Sequence, residues 1–102
     1  MKEFTPTAQR VYDYLRTIPK GKVVTYGQIA EYLGNKNMCR AVGNILHDNP
    51  LPDYYPCYKV VNAKGLLAKN FGLGIEEQKQ RLEKDGIKVA DYRVDLKVFQ
   101  WK

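Results

Sequence analysis

Three prolines within eight residues, Asn49-Pro50-Leu51-Pro52-Asp53-Tyr54-Tyr55-Pro56, forbid a continuous helix through the middle of this chain. Proline fixes φ and has no N–H to donate, and it pushes the residue before it out of the helical region. The stretch therefore predicts a stiff, extended connector. It delivers Cys57 directly into Tyr58-Lys59-Val60-Val61, whose paired valines predict the start of a buried strand. A thiol held between a rigid connector and a buried strand is presented in one orientation, as a nucleophile must be. A free cysteine also serves as a small buried hydrophobe, and this stretch alone leaves both readings open.

Upstream, the spacing of apolar residues predicts helices. Thr5-Pro6 reads as an N-cap followed by proline at the first helical position, where its missing N–H is harmless. Val11, Leu15 and Ile18 follow at helical spacing, so a first helix runs to about Thr17 and stops before Pro19-Lys20-Gly21. Lys22-Val23-Val24 is a short strand candidate. Thr25-Tyr26-Gly27-Gln28 fits a capping box for a second helix that turns Ile29, Ala30 and Leu33 inward and ends at Gly34. Asn37 then caps a third helix. Met38, Val42, Ile45 and Leu46 share one face of it, with Arg40, Gly43, Asn44 and His47 opposite. Two short helices across a tight turn, the second with a basic, small-residue outer face, read as a helix-turn-helix. Gly43 costs about 1 kcal/mol of helix propensity, which suggests that something comes close to the backbone there. A solvated face with one tolerated glycine fits the same pattern.

Beyond the connector, residues 58–61 and 66–68 flank Asn62-Ala63-Lys64-Gly65, a hairpin turn that would form the wing. Asn70 to Gly74 is a glycine-bearing loop, and residues 75–85 form a charged helix with Ile75 and Leu82 inward, closed by Gly86. Between Val94 and Trp101 strand and helix spacings coexist. The expected fold is mainly α with a small β wing, a winged helix-turn-helix-like DNA-binding domain occupying residues 1–102 as one unit.

Composition narrows the partners. No apolar run approaches the ~20 residues of a membrane span, and Met1 to Pro6 has no signal-peptide core, so a cytoplasmic protein without a membrane partner is expected. Two cysteines without a pairing pattern fit a reduced compartment, and a single histidine argues against a structural metal site. A net charge of +6 favours a polyanionic partner.

Several of these segments together resemble a known family, the methylated-DNA–protein-cysteine methyltransferases. Tyr55-Pro56-Cys57-Tyr58-Lys59-Val60-Val61 is similar to its Pro-Cys-His-Arg-Val motif. Thr25 to Ala30, Arg40 to Asn44 and Asn49-Pro50-x-Pro52 resemble three further blocks at family spacing, over about residues 4–87. The resemblance implies a monomer that needs no cofactor and binds double-stranded DNA containing alkylated guanine. The damaged nucleotide would be flipped out, because a thiol cannot reach the reacting carbon inside a stacked duplex. Cys57 would accept the alkyl group from the guanine 6-oxygen irreversibly. Arg40 would fill the gap in the stack and Tyr26 would crowd the neighbouring phosphate and hold the base. Gly43 and Asn44 would face the minor groove. Asn49 would brace the turn before the thiol, the Val60 carbonyl would read the exocyclic amine, and Phe71 would line the base pocket.

The departures from the family pattern fall on the chemistry. The family's histidine after the cysteine is Tyr58 here, and its orienting glutamate corresponds, with a one-residue shift, to Asp85. Tyrosine is a poor base, able at best to donate a hydrogen bond to a thiolate already formed. Lys59 replaces an arginine; it is expected to meet DNA and to lower the thiol pKa by its charge. The leading expectation is therefore a slow, single-use repair protein. A second is a lesion-binding protein that flips alkylguanine without reacting and recruits another pathway. The small relatives called alkyltransferase-like proteins contain that class, typically with the cysteine replaced.

Overall fold

The computed structural model describes residues 4–68 and 74–101. Helix α1 runs Pro6–Leu15, with the Thr5 hydroxyl accepting from the Ala8 N–H as its N-cap. It ends two residues earlier than its spacing suggested. The Thr17 hydroxyl donates back to the Tyr14 carbonyl, and the chain tightens into a turn that still delivers Ile18 to the core. Strand β1 is Val24–Thr25, starting two residues later and ending one later than expected, and leads directly into α2, Tyr26–Tyr32. The capping box is complete: Thr25 Oγ1 accepts from the Gln28 N–H, and Gln28 Oε1 accepts from the Thr25 N–H.

The turn after α2 corrects one expectation. Asn35, not Asn37, is the capping side chain; it accepts from the Asn37 N–H and starts a single 3₁₀ turn over Lys36–Met38. Helix α3, Cys39–His47, continues from that turn without a side-chain cap of its own. Its two faces are as the spacing implied. Val42 and Leu46 are buried, Met38 and Ile45 pack against the same core, and Arg40, Asn44 and His47 are exposed.

The proline stretch is not extended. Tyr54 and Tyr55 both donate to the Leu51 carbonyl, so Pro52 and Asp53 occupy the centre of a tight turn. Proline's fixed φ suits the second position of such a turn as well as it suits an extended chain, and the Asn49 side chain selects the turn by accepting from the Leu51 N–H. After it, Cys57–Lys59 forms a 3₁₀ turn and β2, Val60–Val61, pairs in parallel with β1 in the register Val24 to Val60.

The expected hairpin between residues 58–61 and 66–68 does not form as a ladder. The Asn62–Gly65 turn is present, with the Asn62 side chain accepting from the Lys64 and Leu66 N–H groups. The returning limb pairs elsewhere: Leu66 bridges to Arg93, and the Leu67 N–H donates to the Tyr92 carbonyl. Only the Asn62 N–H, donating to the Leu66 carbonyl at 3.1 Å, joins the returning limb back across the turn. The small β wing is instead built on β3, Val89–Ala90, and β4, Arg93–Val94, an antiparallel pair. Before that pair α4 spans Ile75–Lys84, and the two competing patterns near the end are both used, Val94 in β4 and Leu96–Phe99 as the short helix α5. The chain then runs parallel beside Val23, just ahead of β1: the Val23 N–H donates to the Phe99 carbonyl, and the Trp101 N–H donates to the Val23 carbonyl.

Two apolar clusters meet along the β1–β2 pair. One unites α1, α2 and α3 through Val11, Leu15, Ile29, Val42 and Val60; the other joins Val61 to Leu82, Ile87 and Val94. The whole is mainly helical with small strand pairs, a winged helix-like arrangement.

Candidate functional site

An open cleft of about 1260 Å³ lies between the outer face of α3 and the β3–β4 hairpin. Tyr26, Arg40, Gly43, Asn44, Cys57 and Val60, six residues singled out in the sequence, all line it. His47, Asn62, Leu66, Leu67, Ala68, Asp91 and Tyr92 complete much of its wall. The assembly follows from the strand pair. Because Thr25 lies beside Val61 in β1–β2, the first residue of α2 and the thiol-bearing turn are held side by side. Helix α3 packs on α2 and lays its outer face along the same opening.

Cys57 is buried to 7 % exposure at the floor of this cleft. Burial pushes its thiol up, because a thiolate is poorly solvated there. Three groups work against that: the Asn49 side chain hydrogen-bonds the sulfur, a backbone N–H does the same, and the Arg81 guanidinium contributes its charge. Burial is the largest of these, so the basic surroundings do not win as the sequence suggested. Lys59 is not the cation involved.

Asn49 acts as a brace. Its Nδ2 donates to the Tyr55 carbonyl at 2.8 Å while its Oδ1 accepts from Leu51, fixing both ends of the proline turn below the thiol. Tyr55 is stacked on Tyr12, 5.0 Å between ring centres, and the Tyr12 hydroxyl donates to the Ile45 carbonyl of α3 at 2.6 Å. Burial and the nearby Asp48 push that hydroxyl up to about 12, so it remains a donor. Tyr26 is likewise raised, first by burial and then by Cys57.

Tyr58 and Asp85 are brought together as expected. The Tyr58 hydroxyl donates to Asp85 Oδ2 at 2.9 Å, and burial together with that carboxylate pushes its pKa well above the ordinary phenol value. The hydroxyl has one proton, and it goes to Asp85. It therefore cannot simultaneously donate to a thiolate, and it is no base at neutral pH.

Lys59 departs from its expected role. Its side chain is buried, and Nζ donates to the Ile18 carbonyl at 3.0 Å, with Asp85 Oδ2 at 3.8 Å. Burial lowers its pKa, and Asp85 opposes that. An ammonium turned inward onto backbone carbonyls staples the reactive turn to the end of α1 and does not reach a phosphate. The Val60 carbonyl keeps one lone pair for a ligand, since the other accepts from Gln78 Nε2 at 3.0 Å. Phe71 lies outside the described residues.

Gln78 was not anticipated. It is fully buried on α4, accepting from the Ala68 N–H and donating to the Tyr58 and Val60 carbonyls. It thereby ties both edges of the cleft floor to one helix. A signal was available: Ile75, Gln78 and Leu82 share the apolar face at i, i+3 and i+7, and an amide on an apolar face must find partners inside. Arg81 was also missed. It pairs with Asp53 at 2.9 Å and with Glu77 at 3.1 Å, anchoring the proline turn to α4.

Comparison with known proteins agrees with this geometry. Alkyltransferase-like protein 1 of Schizosaccharomyces pombe is 34% identical over 99 residues, covering 91% of this chain and 92% of its own length. A crystal structure of S. pombe Atl1 in complex with damaged DNA containing O6-carboxymethylguanine superposes with a TM-score of 0.89 at 32% identity, covering 99% of both chains. A bifunctional methyltransferase/endonuclease of Picrophilus torridus is 41% identical over 91 residues, but this chain spans only 30% of its length. For the methylated-DNA–protein-cysteine methyltransferase of Thermococcus gammatolerans, 41% identical, the share is 47%. No helix among the described residues is long and apolar enough to cross a membrane. Residues 6–87 match the family model described as 6-O-methylguanine DNA methyltransferase, DNA binding domain, and the chain belongs to that family.

Proposed function

We propose that this protein binds duplex DNA, receives a flipped 6-O-alkylguanine in the cleft, and takes the alkyl group onto Cys57 in a single irreversible step. The observation that carries this reading is the shared cleft. The thiol on its floor, held from behind by Asn49, shares one opening large enough for a nucleobase with Tyr26 and the exposed Arg40. Arg40 forms no ion pair among the described residues and stands at the start of α3, free to enter the stack. In the transfer, the sulfur forms a bond to the alkyl carbon as the bond from that carbon to the guanine 6-oxygen breaks. The electron pair returns to the purine, which takes a proton at N1, equal to the one lost by the thiol. No water or cofactor is consumed, and the protein ends as a thioether.

The chemistry is slow on this reading. Thiolate is scarce because burial raises Cys57, and Tyr58, committed to Asp85, supplies no base. General-base assistance is worth roughly 10²–10⁴-fold, and that is the size of the expected deficit. The same two observations favour a second reading, a lesion-binding protein that everts alkylguanine without reacting. The two are separated by intact mass after incubation with a duplex containing one 6-O-methylguanine, beside Cys57→Ala. A methyl gain on the wild type alone supports transfer. Lesion-selective binding by both proteins with no gain leaves the sensor, and binding that ignores the lesion sinks both.

A further inference from the structure

Two residues lining the cleft, Asp91 and Tyr92, lie beyond the family match, which ends at residue 87. There the two-residue turn joining β3 to β4 places both central residues, Asp91 and Tyr92, in the left-handed region, at φ 52° and 58°. Hairpin turns of this kind are built from asparagine and glycine, and a tyrosine there is strained. Strain of this sort persists only where surrounding contacts impose it. Tyr92 has two such contacts: its carbonyl accepts from the Leu67 N–H at 2.9 Å, and its hydroxyl donates to Glu76 on the first turn of α4. The ring is 40 % exposed and belongs to neither apolar cluster, yet it lines the same cleft as Cys57 and Tyr26. A bulky side chain kept in an unfavourable backbone conformation, pinned at both ends and not needed by the core, acts on whatever enters.

From this we infer that Tyr92 is a specificity-determining wall of the cleft, limiting the size of the 6-O-substituent that fits beside a flipped guanine. The inference rests on the lesion-binding reading above, whether or not transfer follows. A wall held by a backbone hydrogen bond and a hydroxyl latch cannot swing aside as a free surface tyrosine would. It therefore admits small substituents and excludes large ones.

The test is equilibrium binding, by fluorescence anisotropy, of three duplexes of one sequence carrying guanine, 6-O-methylguanine or 6-O-benzylguanine. To keep the thiol from reacting, all proteins carry Cys57→Ala. Glycine relieves the backbone strain, so Tyr92→Gly is expected to fold at least as well as its parent. It should shift the benzyl-to-methyl affinity ratio toward benzyl by roughly tenfold, the scale on which a pocket discriminates by size. Tyr92→Phe keeps the ring and the turn but loses the hydroxyl latch, so it should shift the ratio the same way by less than Tyr92→Gly does; a shift larger than in Tyr92→Gly overturns the wall. An unchanged ratio in Tyr92→Gly, with methyl preferred over guanine throughout, overturns the wall alone. Equal affinity of the parent for guanine and 6-O-methylguanine overturns the lesion-binding reading and the wall with it.

Discussion

Replacing Gln78 by leucine should cost this protein a large part of its stability, although the change looks conservative in volume. The glutamine amide is fully buried and makes three hydrogen bonds, to the Ala68 N–H at 2.8 Å, the Val60 carbonyl at 3.0 Å and the Tyr58 carbonyl at 3.1 Å. Leucine fills the space but leaves three backbone groups without partners. A buried polar group deprived of its hydrogen bond costs about 1–3 kcal/mol. Ala68 and Tyr58 are only partly buried, so water recovers some of that, and the expected loss is about 3–5 kcal/mol. A domain of this size has roughly 5–15 kcal/mol in all. Urea unfolding followed by circular dichroism measures the difference; with m of about 1–3 kcal/mol/M, the midpoint should fall by about 2 M at unchanged m. A loss below about 1 kcal/mol would mean that the amide is replaceable by solvent and does not hold the cleft floor.

Four further expectations are open to simple measurement. Burial raises the Cys57 pKa, so its thiolate fraction at neutral pH is below that of a free thiol; carboxamidomethylation of Cys57 by iodoacetamide should keep accelerating above the ordinary thiol midpoint of about 8.5, and a midpoint at or below that value contradicts the assignment. In Gly65→Ala a Cβ would meet the Val94 carbonyl oxygen at 2.2 Å, so the variant should lose upwards of 2 kcal/mol by calorimetry, through strain at φ 84° and displacement of β4. Thr25→Ala removes half of the capping box and should cost about 1 kcal/mol, read as a thermal shift of about 4–8 °C. Arg40→Ala should weaken DNA binding and flatten its salt dependence, whereas Lys59→Met, changing a buried ammonium, should leave the salt slope unaltered; equal slopes in both variants would place the wrong cation on the DNA.

Legibility in the sequence followed the range of the interactions. The caps at Thr5 and Thr25 and the two faces of α3 are settled within four or five residues, and periodicity with capping chemistry located them directly. The cleft residues Tyr26, Arg40, Gly43, Asn44, Cys57 and Val60, and the Asn49 brace behind them, were singled out through the resemblance of their segments to the family's blocks. What could not be read was decided at a distance. The proline turn, started locally by Asn49, is fixed in place by Arg81 of α4 gripping Asp53. Leu66 bridges to Arg93, and β2 pairs with β1, a partner some 36 positions earlier in the register Val24 to Val60; neither partner is visible from local pattern. Lys59 shows the limit most clearly: its charge is visible in any sequence, but its burial against the Ile18 carbonyl depends on how α1 ends.

The pairing of residues 99–101 with Val23, at the entrance to β1, has a consequence for biosynthesis. Val23 is held through both its N–H and its carbonyl, by Phe99 and Trp101, and Gln28 donates to the Trp101 carbonyl across 73 residues of chain. The same β1 is the only strand that β2 pairs with among the described residues, and β2 follows directly from the thiol-bearing turn. On a ribosome adding about 5–20 residues per second, α1, α2 and α3 can associate early through near neighbours. The sheet edge that steadies Cys57 stays open until residue 101 has left the exit tunnel. A stalled or truncated nascent chain would thus carry the DNA-facing helices without a finished reactive turn.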